Sequence, residues 1–161
     1  MKISIDTKAY DRAIKQVREY AKLLETKERD LLKRLAQYGA TRVEVLFARV
    51  QYDGDDSITV TFNAEQKKAT IIANGKSVAF IEFGAGVYFN DAESYPLPRP
   101  QGIVGIGQYG KGKGNNPNGW YYTSNGESRF TKGNPPAMAM YRTIIELGDE
   151  VTKIAREVFK S

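Results

Sequence analysis

The chain predicts an α+β fold: two N-terminal helical segments, a small antiparallel sheet carrying a long glycine-rich loop insertion, and a C-terminal amphipathic helix. Three observations lead there. Apolar residues recur at helical steps over Tyr10 to Val50 and again over Ala137 to Val158. Between them Ile58, Val60 and Phe62 alternate with threonines, the period of a half-buried strand. From Gly86 to Gly119, Gly, Pro, Asn and Tyr dominate, and such a stretch buries too little apolar surface to offset the entropy of ordering it. A length of 161 residues suits a single domain, 1–161, with 86–119 as a flexible loop insertion within it.

Element by element, Ile3 and Ile5 alternate with polar neighbours and suggest a short strand, after which Asp6 or Thr7 can cap a helix. Tyr10, Ile14, Val17, Ala21 and Leu24 then come at steps of four and three, which predicts a helix to about Glu25. Leu32, Leu35, Gly39, Val43, Leu46, Phe47 and Val50 continue the helical period, with Arg29, Lys33, Arg34 and Arg42 mostly off the stripe. No Gly or Pro separates the two segments, so they form one bent helix or two joined near Thr26, where Thr could cap the second. Ala36, Gly39 and Ala40 make a small-residue patch, read as tight packing within the monomer in preference to a subunit contact.

Asp53-Gly-Asp-Asp reads as a turn; its glycine is misplaced for a calcium loop and no ligand ladder comes after it. The strand at Ile58 to Phe62 predicts a partner at Ala69 to Ala73 across the Ala64 to Lys68 turn. For Val78 to Phe83 a short helix is favoured over a strand, since Val78, Ile81 and Ala85 share one face. Trp120 to Thr123 has strand composition and is expected to join the hairpin's sheet. Pro135 and Pro136 are expected to open the last helix, because proline is tolerated in a first turn. Ala137, Tyr141, Ile144, Gly148, Val151, Ala155 and Val158 form its apolar stripe, a packing face for the sheet or a seam against a neighbouring subunit.

Composition excludes whole classes of chemistry. With neither cysteine nor histidine, there is no disulfide, thiolate metal site, Cys nucleophile, His base or Ser-His-Asp triad. The N-terminus lacks the apolar run of a signal peptide and no stretch is apolar enough to span a membrane, so a soluble protein made in the cytosol, with no membrane partner, is expected. Gly105-Ile-Gly-Gln-Tyr-Gly110 has the spacing of a dinucleotide fingerprint, but Lys-Gly-Lys-Gly-Asn-Asn-Pro-Asn-Gly comes next and cannot start the helix that fingerprint needs. Read as a P-loop, it has Gly112 where a Ser or Thr must bind magnesium. No cofactor is expected. Glu82 stands alone in an apolar block, where burial disfavours its charged form unless a cation or backbone donor meets it, and no second carboxylate has a sequence reason to face it. It reads as structural or at an interface, and a non-enzyme is expected.

Charge gives the loop a second reading. Between Glu93 and Glu127 there is no acid, while Arg99, Lys111 and Lys113 lie among Tyr95, Tyr109, Trp120, Tyr121 and Tyr122. Cations interleaved with aromatic rings suit a phosphate backbone and its bases. A net charge of +5 permits a polyanionic partner without requiring one.

Taken in order, the chain shows two helical segments, a hairpin, the block Val-Ala-Phe-Ile-Glu-Phe-Gly, a glycine-rich insertion, then Gly-Asn-Pro-Pro-Ala-Met-Ala-Met-Tyr-Arg and a closing helix. This resembles the neck or tail-completion proteins of long-tailed bacteriophages, found among head-tail connector and minor tail components. Phe80 to Gly84 matches the family's aromatic-Glu-Phe-Gly block, and Gly133 to Arg142 its proline-rich entry into the final helix. The chain departs from the family in three places: Arg49-Val-Gln-Tyr-Asp-Gly stands for a Pro-x-Asp-Thr-Gly-x-Leu turn, Ala85 for a common Thr, and Met138 to Arg142 for a Phe-Leu-Arg-Pro run. The resemblance implies a non-enzymatic virion protein of the neck or upper tail, assembled in the host bacterial cytoplasm. It would form a ring, with six copies as the expected number, that joins capsid connector to tail tube and meets other neck, connector, tube or terminator proteins. Phe80, Glu82, Phe83, Gly84, Tyr109, Trp120, Tyr121 and Tyr141 are the expected interface, and Arg99, Lys111 and Lys113 could face genome DNA in the lumen. The alternative is a small nucleic-acid-binding module using the basic, aromatic loop.

Overall fold

The computed structural model describes residues 7–50, 58–65, 67–75, 77–86, 96 and 118–160. The expectations for Ile3, Ile5, the Asp53 turn, Arg99, Gly105 to Gly110, Tyr109, Lys111 and Lys113 lie outside them. The α+β class holds. In chain order the elements are α1 (Thr7–Ala48), β1 (Thr59–Ala64), β2 (Ala69–Asn74), α2 (Val78–Phe83), β3 (Trp120–Ser124), β4 (Glu127–Thr131) and α3 (Ala139–Lys160).

α1 is one unbroken helix of 42 residues, roughly 60 Å long at about 1.5 Å per residue. Thr26 caps nothing: its hydroxyl donates to the Lys22 carbonyl at 3.0 Å, a bond made inside a continuing helix. The run Leu24 to Leu31 contains no glycine or proline and is rich in Lys, Glu and Arg, which hold the helix well. Among the described residues, the buried positions of α1 lie in its C-terminal half. Ala36, Ala40, Val43, Leu46 and Phe47 are buried there, and Val43, Leu46, Phe47, Ile81 and Ala139 form the core.

β1 and β2 make the expected antiparallel hairpin, registered from Thr59 opposite Asn74 to Ala64 opposite Ala69. Ile58, Val60, Ile71 and Ala73 pack against the core, while Ile72 on the other face is exposed. α3 runs antiparallel to α1. Near its start Thr143 and Leu147 meet α1 at Gly39, where an added Cβ would lie 3.1 Å from Leu147 Cδ1 and closer still to Ile71 of β2. Arg42 of α1 grips Glu146 with both ends of its guanidinium, through Nε to Oε2 and through Nη2 to Oε1 at 2.7 Å. At the far end Lys27 Nζ donates to the Val158 carbonyl at 2.8 Å, a cation on the last turn of α3.

Three expectations are corrected. Trp120 to Thr123 is a strand but does not extend the first sheet; β3 pairs with β4 in a second two-stranded sheet, Trp120 opposite Thr131 and Ser124 opposite Glu127. The reason is local: Asn125 and Gly126, both at positive φ, make the two-residue turn that matches strand twist, so β3 folds back onto its immediate neighbour in the chain. The prolines do not open α3, which starts at Ala139, because Ala137 N–H and Met138 N–H are already bonded to the carbonyls of Ile81 and Glu82. The buried face of α3 is also rotated from the apolar stripe. Ala139, Thr143, Ile154 and Val158 are buried, whereas Ile144 and Ile145 are 61% and 54% exposed. Thr143 can face inward since its hydroxyl donates to the Ala139 carbonyl at 2.8 Å.

Candidate interaction site at the base of the insertion

α2 has six residues, too few to satisfy its own backbone. Its orphan carbonyls are met from a segment far along the chain. Asn134 Nδ2 donates to Phe80 O at 3.0 Å, Ala137 N to Ile81 O at 2.8 Å and Met138 N to Glu82 O at 3.2 Å. Ala85 N, just past the helix, donates to Asn134 O at 2.8 Å. The residues 134–138 therefore lie along the end of α2 as a bonded strap.

The strap has its own deficit, which Glu82 fills. Met138 stands at the N-cap position of α3: its carbonyl accepts from Arg142 N at 2.8 Å, and its φ is 55°. An N-cap normally uses a side-chain oxygen to accept from the second and third helical N–H groups, which a Met thioether does poorly. Here the Glu82 carboxylate does so from α2, with Oε2 accepting from Met140 N at 2.9 Å and Oε1 from Tyr141 N at 3.1 Å. A buried carboxylate at a helix N-terminus also complements the helix dipole. Each helix thus completes the other.

Glycines allow this close approach. At Gly84, φ 78°, a Cβ would sit 2.9 Å from Pro136 N. At Gly86, φ 63°, it would sit 2.7 Å from Cη2 of Trp120 and closer to the Lys132 carbonyl, and at Gly133 it would strike Ala85. Gly119, φ 90°, has no more room, with Phe130 and the Thr131 carbonyl against it. The glycines on either side of residues 87–117 are therefore both closely packed, Gly86 under the Trp120 ring and Gly119 against β4. Thr131 Oγ1 accepts from Gly133 N at 3.0 Å and fixes the turn from β4 into the strap.

The expected interface residues divide between the inside and the outside of this junction. Glu82 and Gly84 are buried within the protomer, and Phe80, Phe83, Trp120 and Tyr141 are half-buried around them. Tyr121 points away: it is 66% exposed, its ring edge-on to that of Phe130 across the strands with centroids 5.2 Å apart. Sequence reasoning missed Asn134, Trp120 over Gly86, and all of β4. The dipeptide Asn125-Gly126 was the available signal for β4; nothing local marks Glu82 as the cap of a helix so far downstream.

Chemically the junction can hold chain and present it. Glu82 meets backbone donors, and among the described residues no group of three or more carboxylates could gather a metal ion. A concavity of about 680 Å³, open to solvent, lies between α1 and α3, lined by Arg34, Tyr38, Arg42, Val45, Glu146 and Ile154 among others. Its charged pair is Arg42 and Glu146. Hydrogen bonding to Glu146 raises the Arg42 guanidinium, and hydrogen bonding to Arg42 lowers the Glu146 carboxyl below the usual carboxylate range. No helix among the described residues is long and apolar enough to cross a membrane. No family model, curated protein or solved structure matches the chain.

Proposed function

We propose that the chain is a structural, non-enzymatic component of a long-tailed bacteriophage virion, forming a ring at the head-tail junction that joins the capsid connector to the tail. One observation carries this reading: the two blocks on which the resemblance rests are a single physical unit. Phe80 to Gly84 and the strap before Arg142 bond through three α2 carbonyls and the Glu82 carboxylate. Blocks separated by a long insertion keep matching sequences for a reason if each supplies the backbone partners the other lacks. Gly86 and Gly119, which flank residues 87–117, pack beside it against Trp120, Lys132 and β4. A fixed base presenting a polar, glycine-rich segment suits a docking device that gains strength from ring multiplicity. Ile144 and Ile145 on α3 and the edge-on ring pair Tyr121 and Phe130 on the second hairpin are exposed apolar side chains that a neighbouring subunit could cover.

The test is deletion of residues 102–117. The expected product is a folded, soluble chain that no longer supports the joining of heads to tails. Normal virion assembly by the deleted protein would reject the proposal. Salt-dependent DNA binding by the full chain, lost on neutralising Arg99, Lys111 and Lys113 together, with no association with virion parts, would instead identify a nucleic-acid-binding module.

A further inference from the structure

Lys27 of α1 meets the last turn of α3 through its Nζ and the Val158 carbonyl, and N-terminal to it none of the positions 8–26 is buried. This stretch nevertheless keeps an apolar stripe, Tyr10, Ile14, Val17, Ala21 and Leu24, at alternating steps of four and three. Tyr10 and Val17 are 64% and 68% exposed. A seven-residue apolar repeat on a bare helix is the surface that another helix of the same repeat covers.

Charge selects the occupant. From this surface we infer that it is the same stretch of a second copy of this chain, packed antiparallel, so that residues 10–21 of each helix overlap. In that register Ile14 faces Val17 of the second copy, Tyr10 faces Ala21, and each contact occurs twice by the two-fold axis. The flanks agree with it: Asp11 comes opposite Arg18 on one side, and Tyr20, 61% exposed, covers Ala13 on the other. Sliding by one heptad so that Ala21 meets Val17 would set Arg18 against Arg18 and Asp11 against Glu25. A parallel pair would set Ala13 beside Arg18 and Lys27 beside Leu32, with no opposite charges matched. The next stripe position after Leu24 is Glu28, so the apolar seam ends where the body begins. This pairing concerns the chain free in solution and does not rest on the proposed function.

The experiment uses the full chain. Sedimentation equilibrium should show a monomer-dimer equilibrium. Arg18→Glu should weaken it at least about tenfold, and adding Asp11→Lys in the same chain should restore it, whereas Glu25→Lys should not. Because the chain has no cysteine, orientation is read separately. A mixture of Ile14→Cys and Val17→Cys chains should oxidise to the mixed disulfide in preference to either self-pair. A monomer at roughly 100 μM, a dimer indifferent to Arg18→Glu, rescue by Glu25→Lys in place of Asp11→Lys, or self-pairs of each cysteine variant would each overturn the inference.

Discussion

Replacing Glu82 with alanine removes both acceptors of the α3 N-terminus at once. The site is closed, with Glu82 only 3% exposed, so Met140 N–H and Tyr141 N–H are left without the carboxylate that meets them at 2.9 and 3.1 Å. A hydrogen bond to a charged group contributes about 1.5–3 kcal/mol and an unmet buried donor costs about 1–3 kcal/mol. A charge at a helix terminus adds up to ~2 kcal/mol in a partly buried setting. These terms overlap, and removing the carboxylate also removes the cost of burying it, so their sum overstates the effect. A loss of about 2–4 kcal/mol is expected, which is roughly 6–12 °C in Tm for a domain of this size. Glu82→Gln keeps one carbonyl oxygen but turns an amide donor towards the second N–H, and about 1–2 kcal/mol should be lost. Urea unfolding with a shared m-value measures both, because a change in midpoint at constant m is a change in stability. The reasoning fails if Glu82→Ala stays within about 0.5 kcal/mol of the parent, or if the glutamine variant is the less stable of the two.

Two glycine substitutions separate strain from crowding. Gly126→Ala meets nothing within 4 Å at φ 80°, so only the left-handed penalty of about 1–2 kcal/mol should appear in the urea midpoint. Gly86→Ala carries the same penalty and also drives a methyl into the Trp120 ring; it should cost more and shift the emission of this single tryptophan, a change that Gly126→Ala should not produce. For Glu146→Gln the sign comes from the lowered carboxyl in the folded chain: the pair with Arg42 stabilises above the unfolded carboxyl value of about 4.3 and fades as pH falls through the folded value. The variant should therefore be less stable than the parent near neutral pH and converge with it in acid, as a urea series across pH would show. A constant gap at every pH would mean the pair is not the source.

The sequence made legible those elements whose signal is periodic and local. The β1–β2 hairpin, α2 and the presence of α3 are readable from alternation at Ile58 to Phe62, from the shared face of Val78 and Ile81, and from the apolar steps after Ala137. The hidden features were decided by partners distant in the chain. Pro135 and Pro136 looked like a helix start because a first turn can dispense with two N–H groups, yet the start is set by Ala137 and Met138 bonding to α2, information that resides in residues 81 and 82. The rotation of α3 has the same origin. Thr143 lies inward because Gly39 of α1 leaves room for it and Ala139 accepts its hydroxyl, and apolar counting ranks Ile144 above it. Glu82 was visible as an oddity in an apolar block, but its role as a cap depends on Met138 being unable to do that work.

The same dependence explains why the junction is built from side chains and backbone on both sides of the insertion instead of from a longer α2. A longer helix would satisfy its carbonyls internally and leave the strap without partners. A short one must find them elsewhere, and it finds them only if the chain returns after the insertion to the place from which it departed. Bringing together segments so far apart in the chain costs entropy that grows only slowly with their separation, and the bonds between α2 and residues 134–138 offset that cost. Glu82, Gly84, Gly86 and Gly133 are therefore the positions where substitution should damage the fold.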